Sequence, residues 1–139
     1  MSESSGAPRA RPEFRNIGIG DIRSYRLPLA GIASILHRVS GALMFLVGIP
    51  LTLYMLQLSL GSAATYQQFA DLASGVFFRL VMLALFWAFF HHLCAGVRYL
   101  LLDVHIGIDK ASSRTSAIAV FVVSGVLTLI AALKLFGGL

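Results

Sequence analysis

The polar residues that sit in apolar surroundings are few, and they cluster in two stretches. Phe89 to His105, FFHHLCAGVRYLLLDVH, places two adjacent histidines, a glycine four residues after the second, an arginine, and an aspartate at the polar edge of a long apolar run. The first third of an earlier run carries Ser34, His37, Arg38, Ser40 and Gly41, whereas its remainder is nearly pure Leu, Met, Phe and Val. A charge near the middle of a bilayer costs about 2.5–3.5 kcal/mol even on lenient insertion scales, so polar groups there usually face a protein interior and serve a function. On a helix, His92, Gly96, Tyr99 and Asp103 step by four, three and four and line one face.

Imidazole nitrogens ligate iron, and cationic donors bind carboxylates. His37 lies about eight residues, roughly 12 Å, into the first helix, and His92 about eleven residues, roughly 16 Å, from the end of the second, so both fall in the same half of a membrane. Two imidazoles at similar depth, with Arg38 nearer the water, suit a porphyrin whose iron takes nitrogen and whose propionates take the guanidinium. By spacing alone His37 is either a second axial ligand beside His92 or a propionate partner. A histidine in an apolar segment also reads as a plain hydrogen-bonder between helices. His91 is rotated by about 100° onto a face shared with Ala95, Arg98 and Leu102. The face of His92 carries Gly96, whose missing side chain gives a flat macrocycle room against the backbone, and this favours His92 as the ligand.

Ser34 and Arg38 stand one turn apart at the mouth of the first helix. A hydroxyl and a guanidinium there can hydrogen-bond a quinone carbonyl and steady its anionic, one-electron-reduced form. Arg38 also reads as an interface anchor paired with Asp103 at the same membrane edge. The two roles are compatible, because such a pair leaves donors over for a quinone.

The elements that must position these groups are membrane spans. Of 139 residues 58% are hydrophobic and only 12% charged, with a mean hydropathy of +0.84, whereas a soluble domain is about a quarter charged. Such a length leaves no room for a separate soluble catalytic domain beside three spans, so aqueous chemistry is expected of partners. The net charge of +5 does not point to nucleic acid: Arg9, Arg11, Arg15, Arg23 and Arg26 all precede the first apolar run, without interleaved aromatic platforms. The single cysteine, Cys94, excludes an internal disulfide and a thiolate cluster built by this chain alone.

The expected organisation is a polar, basic arm over 1–28 and a membrane domain over 29–139, with helices near 29–58, 76–103 and 115–136. Residues 59–75 are expected to be a connection, Pro50 to kink the first helix, and Arg79 to snorkel to the interface. The third helix, with Gly125 and small neighbours, is expected to pack structurally. Lys and Arg in the flanks place the N-terminus and the second loop on the cytoplasmic or matrix side. No transit peptide is evident, which favours a bacterial plasma (inner) membrane over the mitochondrial inner membrane.

Arg11-Pro12, then Ser34-Ile-Leu-His37-Arg38-Val-Ser40-Gly41, then His92-x-x-x-Gly96-x-Arg98 followed by Asp103 resemble the cytochrome b556 membrane-anchor subunits of succinate dehydrogenase, the large anchors of respiratory complex II. The resemblance runs from Arg11 to about Phe136. It implies an all-α membrane protein whose three transmembrane helices join a heteromeric bundle with a second anchor subunit. His92 would be an axial ligand of haem b, with the opposite ligand from that partner. His37 would then not be a ligand; with Arg38, Gly96 and Tyr99 it would form the propionate side of the haem environment. Ser34 and Arg38 would stand at a ubiquinone site completed by the partner anchor and an iron-sulfur subunit, with electrons arriving from succinate through a flavoprotein. The chain itself would carry out no succinate chemistry. Two features depart from the family pattern: Tyr99 stands where many relatives have histidine, and Glu13 stands where an apolar residue is common, in an arm longer than in some relatives. A fumarate reductase anchor, another quinone-linked anchor and a purely structural membrane subunit are the alternatives.

Overall fold

The computed structural model describes Gly18, Gly20 and residues 25–137. Most of the expected N-terminal arm, including Arg11, Pro12 and Glu13, lies outside the described residues. Among these residues there are helices and no strands. α1 runs over Leu29–Gly61, α2 over Ala63–Ser74, α3 over Val76–Asp103 and α4 over Lys110–Leu135. α1, α3 and α4 are long and apolar enough to cross a bilayer.

α1 begins directly after Pro28, whose fixed φ and missing N–H suit the edge of a helix. It is not uniform. Residues Met44–Gly48 form a π-helical turn, closed by the Ile49 N–H on the Met44 carbonyl, and α-geometry resumes over Ile49–Gly61. The cause lies two residues beyond the turn: Pro50 has no N–H to give, and its ring crowds the carbonyl four residues back, at Leu46. The widened turn takes up that conflict where a kink was expected.

The segment 62–74 is a helix and not merely a connection. Ser62 caps α2 by accepting from the Thr65 N–H (3.2 Å), while the Ser62 N–H donates to the Thr65 hydroxyl (2.8 Å). This is a capping box with Thr in the place usually held by Glu or Gln, so its sequence signature is faint. Arg79 donates to the Ala73 carbonyl (3.4 Å), setting a cation at the C-terminal end of α2. α4 starts five residues earlier than expected, because Asp109 caps it by accepting from the N–H groups of Ala111 (3.1 Å) and Ser112 (2.9 Å).

α3 packs on both α1 and α4, and the N-terminal part of α1 also touches α4, whereas α1 beyond the π turn packs on α2. The buried residues at these crossings are mostly small: Ala33 and Ser40 on α1, Ala88 and Ala95 on α3, Ala117 and Ser124 on α4. Small side chains let helix backbones approach closely, which is how packing replaces hydrophobic drive in lipid. Gly125 does not take part, since a side chain there would meet open space. The packing stripe of α4 is Ala117, Val120 and Ser124 instead.

Candidate haem and quinone site

Helix spacing puts His92, Gly96 and Tyr99 on the face of α3 that meets α1, and His37, Ser40 and Gly41 on the answering face of α1. The imidazoles of His37 and His92 stack, with ring centroids 4.0 Å apart and planes 16° from parallel. Tyr99 lies against His37 at 5.1 Å between centroids. A side chain at Gly96 would first meet His37 Nε2, at 3.8 Å. The space beside Gly96 is therefore bordered by the His37 ring, a neighbour that spacing alone did not identify.

His92 is held by one edge. Its Nδ1 lies 3.0 Å from the His37 carbonyl and 3.3 Å from Ser40 Oγ, and the Ser40 hydroxyl donates to that same carbonyl at 2.9 Å. A carbonyl only accepts, so Nδ1 carries the proton and Nε2 keeps its lone pair. Among the described residues nothing hydrogen-bonds Nε2. A histidine whose second nitrogen donates to a backbone carbonyl is the usual arrangement of an imidazole that binds metal. The stacked His37 ring covers a face of His92, not the edge from which the lone pair points.

These residues fit a haem in one further respect. The Tyr99 hydroxyl is buried without a hydrogen-bond partner, an orphan that a carboxylate such as a propionate would satisfy. Among the described residues no three His, Cys, Asp or Glu side chains converge.

His91 takes the opposite part. It is 0% exposed, stacked on Trp87 (5.6 Å) and tilted against Phe121 (5.6 Å). Neither ring nitrogen has a partner, the Ala33 backbone lying close but outside hydrogen-bonding geometry. It fills the junction of α1, α3 and α4 as an apolar ring would.

Ser34 is half-buried and Arg38 exposed, one turn apart, and neither makes a hydrogen bond to another of the described residues. The expected ion pair between Arg38 and Asp103 is not formed. Both side chains are exposed, and helix packing through His37, Ser40 and Gly41 turns Arg38 away from α3. Among the described residues nothing engages the five donors of the guanidinium.

Sequence reasoning gave no role to Arg98, which is only 5% exposed. Its Nε donates to Ser116 Oγ (2.9 Å) and its Nη2 to Ser113 Oγ (3.0 Å), so it clamps α3 to α4. The signal was present: His91, Ala95 and Arg98 fall on one helical face, opposite a serine pair spaced by three. A cleft of about 750 Å³ lies between the same two helices, and none of His37, His92, Gly96 or Tyr99 lines it.

A family model described as the succinate dehydrogenase/fumarate reductase transmembrane subunit matches residues 15–131. The succinate dehydrogenase cytochrome b556 subunit of Coxiella burnetii (strain RSA 493 / Nine Mile phase I) is 32% identical over 112 residues, covering 80% of this chain and 89% of the relative. The subunit of the same name from Paracoccus denitrificans is 32% identical over 112 residues, 78% of this chain and 85% of its own. That of Rickettsia felis is 28% identical over 106 residues, 76% and 82% respectively.

Proposed function

The chain belongs to the succinate dehydrogenase/fumarate reductase transmembrane subunit family, and from that premise we propose that it is the haem-binding anchor of a succinate:ubiquinone oxidoreductase. It is a multi-pass membrane protein. It would hold a flavoprotein and an iron-sulfur protein at the cytoplasmic face of a bacterial inner membrane, together with a second hydrophobic anchor. Arg26, Lys110 and Arg114 flank that face, in keeping with the excess of basic residues on cytoplasmic loops.

The observation that carries this reading is the state of His92: Nδ1 is fixed on the His37 carbonyl, and Nε2 has no hydrogen bond among the described residues. His92 would hold haem b, the cofactor that the name cytochrome b implies for the relatives, with the second ligand coming from the partner anchor. When bound, the haem supplies a one-electron centre close to the quinone. His37 packs on the ligand ring and keeps its orientation. Tyr99 offers a hydroxyl, and Arg38 a guanidinium, to the propionates. Ser34 and Arg38, without partners among the described residues, would hydrogen-bond a ubiquinone carbonyl, where a cation favours the charge that builds up on reduction.

The test is a reduced-minus-oxidised spectrum of the complex purified in mild detergent. The wild type should show a b-type band, and His92→Ala should lose it while the helices still assemble. An unchanged band in His92→Ala would remove the ligand assignment.

A further inference from the structure

We infer that Ser40 is a positioning residue for the His92 imidazole and that Gly41 sets how closely that ring approaches α1; this rests on His92 being the haem ligand. Three polar atoms close a triangle: His92 Nδ1, the His37 carbonyl oxygen and Ser40 Oγ, with sides of 3.0, 2.9 and 3.3 Å. The Ser40 hydroxyl gives its proton to the carbonyl, so its oxygen is left to face the Nδ1–H as a second acceptor. Rotation of the imidazole about its Cβ–Cγ bond breaks both contacts at once. Ser40 is fully buried, so water does not readily replace it. The carbonyl is backbone and would be supplied by any residue at position 37. Among the described residues Ser40 is therefore the side chain that holds the Nδ1 edge.

Gly41 controls the distance. A Cβ at that position would lie 2.9 Å from His92 Cε1 and 3.3 Å from Nδ1. Cε1 stands between the two ring nitrogens, so any group that pushes it outward also carries Nε2 away from its line of approach. The next contact partner of α3 in this patch is the ring of His37, which is already stacked on His92, so the imidazole has little room to yield. A Ser-Gly pair thus fixes both the direction and the depth of the ligand nitrogen.

The experiment uses the assembled complex carrying Ser40→Ala, Ser40→Thr, Gly41→Ala or His92→Ala. Two quantities are read: the low-spin ferric haem EPR g-values, which report imidazole orientation, and the rate of haem loss to apomyoglobin. Loss of a partner that orients a ligand commonly weakens metal binding by about 10-fold or more. Ser40→Ala should shift the g-values and lose haem about 10-fold faster, whereas Ser40→Thr, which keeps the hydroxyl, should match the wild type. Gly41→Ala should lose haem faster still. Wild-type g-values and haem loss in both Ser40→Ala and Gly41→Ala overturn the positioning role, as does equal damage from Ser40→Ala and Ser40→Thr. A wild-type haem signal in His92→Ala overturns instead the ligand reading beneath it.

Discussion

One step along α3 separates His91 from His92, and the 100° turn between them decides their chemistry. His91 points into the three-helix junction and packs as an aromatic ring with both nitrogens idle, whereas His92 points at α1 and finds a carbonyl. His91→Phe should accordingly leave the b-type band in place and change stability by no more than about 1 kcal/mol, because no hydrogen bond is lost. Loss of the band in that variant would assign the haem to the wrong imidazole. Arg98 presents the contrasting case of a buried group whose Nε and Nη2 are both hydrogen-bonded. Arg98→Lys keeps the charge but loses the fork that spans Ser113 and Ser116, and should cost about 1–3 kcal/mol in thermal unfolding of the detergent-solubilised protein. An unchanged transition would mean that the clamp contributes nothing.

The helix ends carry their own energetics. α3 ends with the His105 N–H on the Leu102 carbonyl and the Ile106 N–H on the Leu101 carbonyl, the pattern that places its C′ residue in the left-handed region. His105 occupies that position at φ 63°, where glycine is usual. His105→Gly should stabilise the protein by about 0.5–1 kcal/mol in thermal melts, and His105→Val should do the reverse. The following cap is pH-dependent. Hydrogen bonds from the Ser112 side chain and backbone, and from the Ala111 N–H, hold the Asp109 carboxyl below the usual carboxylate range. A folded-state pKa below that of the unfolded chain means that the cap stabilises α4 above about pH 4 and is lost as pH falls through the lowered value. The protection of the Ala111 and Ser112 amides, measured against the intrinsic exchange rate at each pH, should therefore fall on acidification in the wild type and stay low at every pH in Asp109→Ala.

At the scale of the molecule, the described surface is that of a part and not of a whole. Phe45, Leu46, Leu53, Phe77, Phe89 and Leu100 are all exposed, and the buried set is short. That is the surface of a bundle meant for lipid and for a partner bundle. Arg38, turned out of this chain, belongs to the same unfinished surface. In the assembled complex Arg38→Ala should lower quinone reduction while succinate oxidation by a soluble dye persists; equal loss of both would trace the effect to failed assembly. Mild-detergent purification should bring down a flavoprotein, an iron-sulfur protein and a second hydrophobic subunit with this chain.

The three spans, and the gathering of polar residues at one end of the first and within the second, follow from sequence alone, because hydrocarbon admits so few polar groups that their positions mark both helix limits and function. The α2 helix did not show at that level, since its cap uses Thr65 where the usual signal is an acid or amide, and neither did the π turn by which Pro50 is accommodated. That His91 and His92 take different faces of α3 also follows from helical phase. What helical phase does not contain is the other helix: that the His37 carbonyl and Ser40 meet His92 Nδ1, that Gly41 makes room for the ring, and that Arg38 turns away from Asp103. Those depend on the azimuth and register at which α1 lies against α3, and small residues spread over several positions set that docking where no single motif does.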